Sequence, residues 1–565
     1  MKKSCRFLSL LLSLILACPL FSAHAEKNAG IVRVLLTKLN LTDRMEISLD
    51  GSYTLNGISF QRGSDLTISC ASGTLFVYYE GMALNAGKEM TLIRHQAKEG
   101  LENGLRINGG YELHPGDLKI SVQNGQLRAV LYSPVEEYLL GVVPYEMSDS
   151  FPLEALKAQA VTARTYALRK AGANSDYDVV DNTNDQAYYG VKAENTNAAK
   201  AIAETRGVCG YYKGNLAECF YSASNGGQTE LVSHVWGKGD YSYLVMADDP
   251  YDVENPESVV KAYSLPKKMT DISGLGPIRD VVLGQLSEVL EGMGYDGDMN
   301  YIQVIGVENA SVSMPMYHDS PSKIMTLLNL SLTVQGRKLL SGDDEEEISI
   351  FQNVPVSSTA PPQETWSPMQ TLPSPVTVSL DLFPTVENAF ALSINGGSNE
   401  IITVRETESA FILESRRYGH GVGMSQRGAQ QMAGAYDWTY QQILRFYYPG
   451  MEIKTLNYSH TLPTPVSEYF LSTPGPAATP TPRPTLMPVS ATPGPDQYLV
   501  AVTNIGVNSY LNLRAQTNTQ SSVLRQLYYG QQLLVIEDLG EWIKVRTDDA
   551  EGYVMSSFVQ KLESE

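Results

Sequence analysis

Residues 141–168, GVVPYEMSDSFPLEALKAQAVTARTYAL, place a single carboxylate, Glu146, in an apolar run just ahead of a proline-started helix. Val142, Val143 and Met147 flank it, and an apolar setting raises a carboxyl pKa by penalising the charged form. Arg164 on the following helix would act in the opposite sense. A carboxyl that keeps its proton at neutral pH can deliver it to a leaving oxygen, a role worth about 10²–10⁴ in rate. The alternative is a helix-entry acid, favoured there by the helix dipole. Spacing alone leaves both open.

Two further stretches could contact a ligand. Residues 417–426, RYGHGVGMSQ, put three glycines around His420, so the backbone can approach a bound molecule closely. His420, Ser425 and Gln426 then offer hydrogen bonds to a polymer; the competing reading is a tight loop with a surface histidine. Residues 221–227, YSASNGG, follow an expected strand and offer hydroxyls and amides from Tyr221 and Ser222 onward, a set that also suits an ordinary turn. No Ser-His-Asp order, phosphate loop or HExxH helix is present. Most glycosidases use two carboxylates, and only one stands out here.

The elements that would hold these residues can be read from the pattern. Residues 30 to about 135 alternate apolar and polar in short runs with glycine punctuation, which predicts antiparallel β. Helical spacing follows over 136–206. In the helix after Pro152, Leu153, Leu156, Ala160, Ala163 and Ala167 form a buried face, with Lys157, Val161, Arg164 and Leu168 as a second stripe and Gln159 beside it. Strands resume at Gly207. A short helix is expected in 275–300, mixed strand signals in 300–337, and more strand from 376 onward. The fold class expected is therefore α+β, mostly antiparallel β with a few helices lining a groove.

At 565 residues the chain is too long for one ordinary domain. Residues 1–25 read as a signal peptide: Lys2, Lys3 and Arg6, then an apolar run, then Ala23-His24-Ala25. Cys18 behind ILA is a rival lipidation site. The main domain is assigned to 26–455, with an insertion at about 265–375 whose 340–375 part is flexible. It holds an acidic run, DDEEE at 343–347, that lacks the spacing of a calcium loop. Residues 456–497 form a Pro/Thr-rich extended spacer, and 498–562 a small C-terminal β-barrel. The net charge of −20 excludes a nucleic-acid partner, which needs a basic face, and leaves a neutral polymer open. The 33 tyrosines against 13 phenylalanines suit sugar faces, which stack on aromatic rings. Cys209 and Cys219 sit about the turn Lys213-Gly214-Asn215; a three-residue turn would set them opposite each other as a disulfide, and two free thiols are the alternative.

With these residues in view, the chain resembles the stage II sporulation protein D and amidase-enhancer family. The resemblance spans roughly 30–452 and rests on four ordered blocks: VVPYEMSDSFPLEALKAQAVTARTYAL, DNTNDQAYYG, ECFYSASNGGQTE, and GHGVGMSQRGAQQMA followed by TYQQILRFYYPG. It implies a peptidoglycan lytic transglycosylase in which Glu146 protonates the bond between N-acetylmuramic acid and N-acetylglucosamine. As a base, the same group then activates the muramyl 6-hydroxyl to give a 1,6-anhydro end. It also implies that Arg164, Tyr221, Ser222, His420 and Gln426 contact the glycan strand. One branch of the family binds zinc through histidine and cysteine; residues 181–190 have neither, so no metal and no cofactor are expected. Residues 498–562 resemble a bacterial SH3-type domain, which implies a cell-wall peptide as its ligand and an SH3-like barrel. The resemblance thus points to a secreted, wall-associated protein. The alternative it carries is a non-catalytic enhancer that binds glycan and activates an N-acetylmuramoyl-L-alanine amidase.

Overall fold

In the computed structural model the chain divides into two units, residues 1–471 and 472–565. The structure describes residues 30–174, 176–340, 365–458 and 460–463 of the first. Of the second it describes residues 494, 497–503, 505, 510–528, 531–547 and 550–562. The expected signal peptide, most of the spacer and the acidic run lie outside these residues. Among the described residues no helix is long and apolar enough to cross a membrane.

The α+β class holds: the sheets are mostly antiparallel and the helices few. The N-terminal third forms two sheets. One runs in the order Val179–Val180, Ile31–Leu35, Gln126–Pro134, Asp117–Gln123, Glu89–Arg94, Tyr53–Leu55, Ile58–Phe60. The other carries Met82–Gly87, Thr74–Tyr79, Asp65–Ala71, Arg44–Leu49 and Leu105–Ile107. Alternation is strict where a face is covered: Met45, Ile47 and Leu49 point inward while Arg44, Glu46 and Ser48 are exposed. Their core continues into the helices that follow.

Leu153–Lys170 is the central helix, and its burial corrects the sequence reading. One buried face, and a second stripe carrying Lys157 and Arg164 with Gln159 beside it, were expected. Instead the helix is surrounded: Gln159, Thr162, Arg164 and Thr165 are fully buried along with its alanines. Short side chains allow this close approach, and the hydroxyls of Thr162 and Thr165 spend their protons on carbonyls one turn back. Lys157 turns outward to pair with Glu154 and Glu204 rather than facing a groove.

A second core runs from Leu265 to Leu413. It packs helix Arg279–Gly292 against the long hairpin Gln303–Pro315 and Met325–Gly336, with Val376–Asp381 beside it. The chain enters and leaves this region through one antiparallel pair, Val260 opposite Arg416. Gln370–Thr371 adds to the hairpin's edge at Gln335–Gly336.

The C-terminal unit forms a seven-stranded antiparallel sheet around Val500, Leu513, Val535, Ile543 and Val554. The expected SH3-like barrel is not closed. Among the described residues Val523–Tyr528 pairs only with Tyr510–Arg514, and Val559–Lys561 only with Tyr498–Val502, so these two strands remain as sheet edges. Val523 and Leu524 on the outer strand stay exposed instead of facing a lumen.

Candidate active site

Glu146 is the last residue of a single helical turn, Val143–Glu146, whose first positions hold Pro144. Its N–H bonds back to the Val142 carbonyl. The carboxyl turns toward the segment after Asp181, where the Ala187 N–H donates to Oε1 at 2.7 Å. Tyr221 and Gln426 also hydrogen-bond to it through their side chains. Loss of solvent raises the Glu146 pKa above the usual carboxylate value; these three hydrogen bonds and the charge of Lys38 only partly offset that. The expected apolar setting is therefore present, and the expected opposition from Arg164 is not.

The Tyr221 hydroxyl is aimed by a chain of buried partners. Tyr138 donates to Gln186 Oε1 at 3.0 Å, and Gln186 Nε2 donates to the Tyr221 hydroxyl at 3.0 Å and to the Ala163 carbonyl at 3.3 Å. Having accepted from Gln186, Tyr221 directs its own proton to Glu146. Tyr138 is fully buried and Gln186 only 1 % exposed, so the inner end of the relay is shielded from water. Gln426 begins helix Gln426–Ala435, and its Nε2 lies 3.4 Å from Gln159 Oε1. Ser425 caps that helix by accepting from the Gly428 N–H.

Two of the remaining sequence candidates hold backbone. The Ser222 hydroxyl accepts from the Gly421 N–H at 3.3 Å. His420 Nδ1 accepts from the Val422 N–H at 3.0 Å, and its other nitrogen donates to the Tyr221 carbonyl. Burial lowers its pKa to about 4, so the ring is neutral at ordinary pH. His420 packs near Trp236, ring centres 5.0 Å apart. Gly419, Gly421 and Gly423 all have positive φ, and a Cβ on Gly423 would lie 2.1 Å from the Phe220 carbonyl oxygen, so the glycines let this loop pack closely against the chain's own backbone.

Arg164 is not part of this site. Its guanidinium is 0 % exposed and forms a two-pronged pair with Glu136, Nε to Oε1 at 3.0 Å and Nη2 to Oε2 at 2.7 Å. Carbonyls of Ala160, Val208 and Ile202 take its other protons. The helical phase that would have carried it to the groove carries it to the opposite side, under strand Val208–Tyr212.

Cys209 and Cys219 are buried free thiols, not a disulfide. The turn holds two residues rather than three: Tyr212 pairs with Asn215 and Tyr211 with Leu216. That register carries on to the Ala217 N–H, which donates to the Gly210 carbonyl at 2.9 Å, and the two thiols stay unbonded although both hydrogen-bond with Thr165. Cys219 contacts Met451 sulfur at 3.6 Å instead.

Sequence reasoning missed the residues that bind these loops together. Asp252 accepts from the Ser224 hydroxyl (2.7 Å), the Asn225 N–H (2.7 Å) and the Ser425 hydroxyl (2.5 Å). Asp249 accepts from Asn225 Nδ2 at 2.7 Å and the Tyr447 hydroxyl at 2.6 Å. The available signal was Asp249 before Pro250, a helix start, which the short helix Pro250–Glu254 confirms. Gln186 and Ala187 gave no signal of their own, since their role depends on a fold-level juxtaposition.

A cleft of about 210 Å³ opens beside Glu146, with Ser148, Phe151, Ser224, Tyr418, Gln426 and Arg427 among its walls. A larger hollow of about 380 Å³, between Tyr440, Arg445 and Lys454, contains none of the groups just described. Chemistry rather than size makes the smaller cleft the candidate site.

Residues 123–212, which contain Glu146 and Ala187, match the stage II sporulation protein family, and residues 509–560 match the bacterial SH3 domain. The chain is 32% identical over 314 residues to the amidase enhancer of Bacillus subtilis (strain 168), covering 55% of this chain and 39% of that protein. It is 31% identical over 166 residues to stage II sporulation protein D of the same organism, covering 26% of this chain and 48% of that one. An uncharacterized protein of Brachyspira hyodysenteriae is 25% identical over 443 residues, 77% of this chain and 96% of its own length. The alignment thus spans less than half of either Bacillus protein, while the sporulation domain places Glu146 in the matched segment.

Proposed function

We propose that this protein is a peptidoglycan lytic transglycosylase with Glu146 as its single acid and base. The observation that carries the reading is the Glu146 carboxyl itself: half-buried, raised in pKa, held by Ala187, Tyr221 and Gln426, and open to a cleft. With Oε1 committed to the Ala187 N–H, Oε2 carries the transferable proton. Glu146 donates it to the glycosidic oxygen as the C1–O bond of N-acetylmuramic acid breaks. The resulting carboxylate takes the proton of the muramyl 6-hydroxyl as that oxygen bonds to C1. The ring closes as a 1,6-anhydro sugar, water is not consumed, and Glu146 ends protonated as it began. Tyr418, 50 % exposed on the cleft wall, offers a ring face for a sugar. The C-terminal unit would hold the enzyme at cell-wall peptide outside the cytoplasm.

A second reading is supported by the amidase enhancer relative, whose match extends over more than half of this chain. In that reading the cleft binds a glycan strand without cutting it, and the protein activates an amidase. Glycan strands freed of stem peptides decide between the two. The enzyme leaves anhydro-muramyl ends visible by mass, and Glu146→Gln abolishes them. No such ends from the wild type, with an amidase still stimulated, would refute the enzyme and leave the enhancer.

A further inference from the structure

Lys38 lies just past strand Ile31–Leu35, in a segment that none of the motifs above includes. Its backbone N–H donates to Asp181 Oδ2 at 3.0 Å, and the preceding Thr37 N–H donates to Asp181 Oδ1 at 3.0 Å. This ties it to the start of the segment that reaches Glu146 through Ala187. The ammonium is shut off from solvent and makes no hydrogen bond. It sits 3.3 Å from the centre of the Tyr189 ring. That ring packs on Tyr145, centroids 4.8 Å apart, and Tyr145 immediately precedes Glu146. The Tyr189 N–H in turn donates to the Gly141 carbonyl at 3.0 Å.

Three unspent donors on a buried cation are costly, and a ring face returns only about 0.5–2 kcal/mol. Such a group persists where a negative charge arrives during the working cycle. Glu146 becomes one each time it releases its proton, and Lys38 is the cation whose field favours that charged form. The other ionisable groups that feel Glu146 are the phenols of Tyr138, Tyr166 and Tyr221, and burial raises all three, so they stay neutral.

We propose that Lys38 is a positioning residue that stabilises the Glu146 carboxylate between its two proton transfers, with Tyr189 as the cover that keeps water from screening it. The proposal deepens the transglycosylase reading and rests on Glu146 being the working group. Tyr189 is 49 % exposed, so its outer face remains available to a sugar while its inner face holds the ammonium.

The test has one arm without substrate and one with it. In the full chain labelled with carboxyl-¹³C glutamate, Glu146→Gln identifies the Glu146 signal by its loss. Its titration moves to higher pH in Lys38→Met and returns toward wild type in Lys38→Arg. Lys38→Gln, which keeps a donor without the charge, takes the place of Lys38→Met if that variant does not fold, and must move the titration in the same direction. With glycan strands, kcat for Lys38→Met falls on the order of ten- to a hundredfold while KM is unchanged, and the high-pH limb of the profile moves up with the titration. A Glu146 titration that stays put in a folded Lys38→Met or Lys38→Gln variant overturns the proposal. A titration that moves in a protein whose wild type yields no anhydro ends upholds the Lys38–Glu146 coupling and overturns only the transglycosylase reading.

Discussion

Arg164 is the centre of a buried ion pair with Glu136, where the resemblance implied a substrate contact. Replacing it with methionine keeps an unbranched apolar stem and removes the charge. Glu136 would then keep the Gly207 N–H and the Tyr458 hydroxyl but lose both guanidinium contacts. Breaking one side of such a pair costs about 3–5 kcal/mol, against a total stability of roughly 5–15 kcal/mol for a typical protein. Burial alone would raise the Glu136 pKa, but Arg164, together with the Tyr458 hydroxyl and the Gly207 N–H, more than offsets it and the net shift is downward. A depressed folded-state value means this stability is present above the ordinary carboxylate range and fades as pH falls through the folded value. Arg164→Met is therefore expected to unfold at markedly lower urea at neutral pH, with the gap to wild type narrowing in acid. Arg164→Met with Glu136→Leu should recover much of the loss, because a neutral pair leaves no orphan charge. Glycan binding and cleavage, corrected for the folded fraction, should match wild type. An Arg164→Met protein as stable as wild type but unable to bind glycan would refute this and return Arg164 to the groove.

Gly423→Ala is expected to cost about 2 kcal/mol or more, since φ is +74° and the new Cβ meets the Phe220 carbonyl; as Phe220 precedes Tyr221, the folded remainder should also cleave poorly. Thermal melts against wild type, together with anhydro-end yield, check both. Glu387 is raised to about 7, first by burial and then by its buried neighbour Glu400, so it folds with its proton on. Its contribution is full below the unfolded-state pKa and is lost as pH rises through about 7. The melting temperature should fall over that window in wild type and flatten in Glu387→Gln; an unchanged slope would contradict the assignment. For the cysteines, a thiol reagent should modify half-buried Cys70 first and reach Cys209 and Cys219 only on unfolding. Burial pushes the Cys209 thiol to about 11 and Cys219 higher still. Loss of those two late-reacting thiols, restored by reductant, would reinstate the disulfide.

What the sequence could disclose follows from how local each determinant is. Alternation in Arg44–Leu49 reports burial residue by residue, so the β character of the first third was legible. Glu146 was legible because its apolar neighbours are adjacent in the chain. The face of Arg164 was not: in an alanine-rich helix covered on all sides, periodicity no longer says which side faces ligand. The cysteine register turned on a single residue of turn length, below the resolution of any turn signal. Lys38, Gln186 and Ala187 are invisible for a different reason. Their neighbours at the site come from 23 or more positions away, and nothing local marks them.

That distance dependence also explains how the site tolerates a large second core in its midst. Tyr221 and Gln426 both meet Glu146, yet about 200 residues separate them in the chain. Three devices cancel that separation. Tyr221–Ser222 lies parallel to Met424–Ser425, residue against residue. Ser224 and Tyr418 exchange both backbone hydrogen bonds, at 3.0 and 2.9 Å. Buried Asp252 takes hydroxyl protons from Ser224 and Ser425 at once. The excursion itself is closed at its neck by Val260 opposite Arg416. The two halves of the cleft are thus joined before the second core is reached, and the tips of that core grip the joint from outside. Asn395 and Asn399 hydrogen-bond around Gly419, and the Lys323 N–H donates to Gln228. A carboxyl that must give and retake one proton needs its donors fixed to within a few tenths of an ångström, and this double fastening supplies that rigidity where chain connectivity cannot.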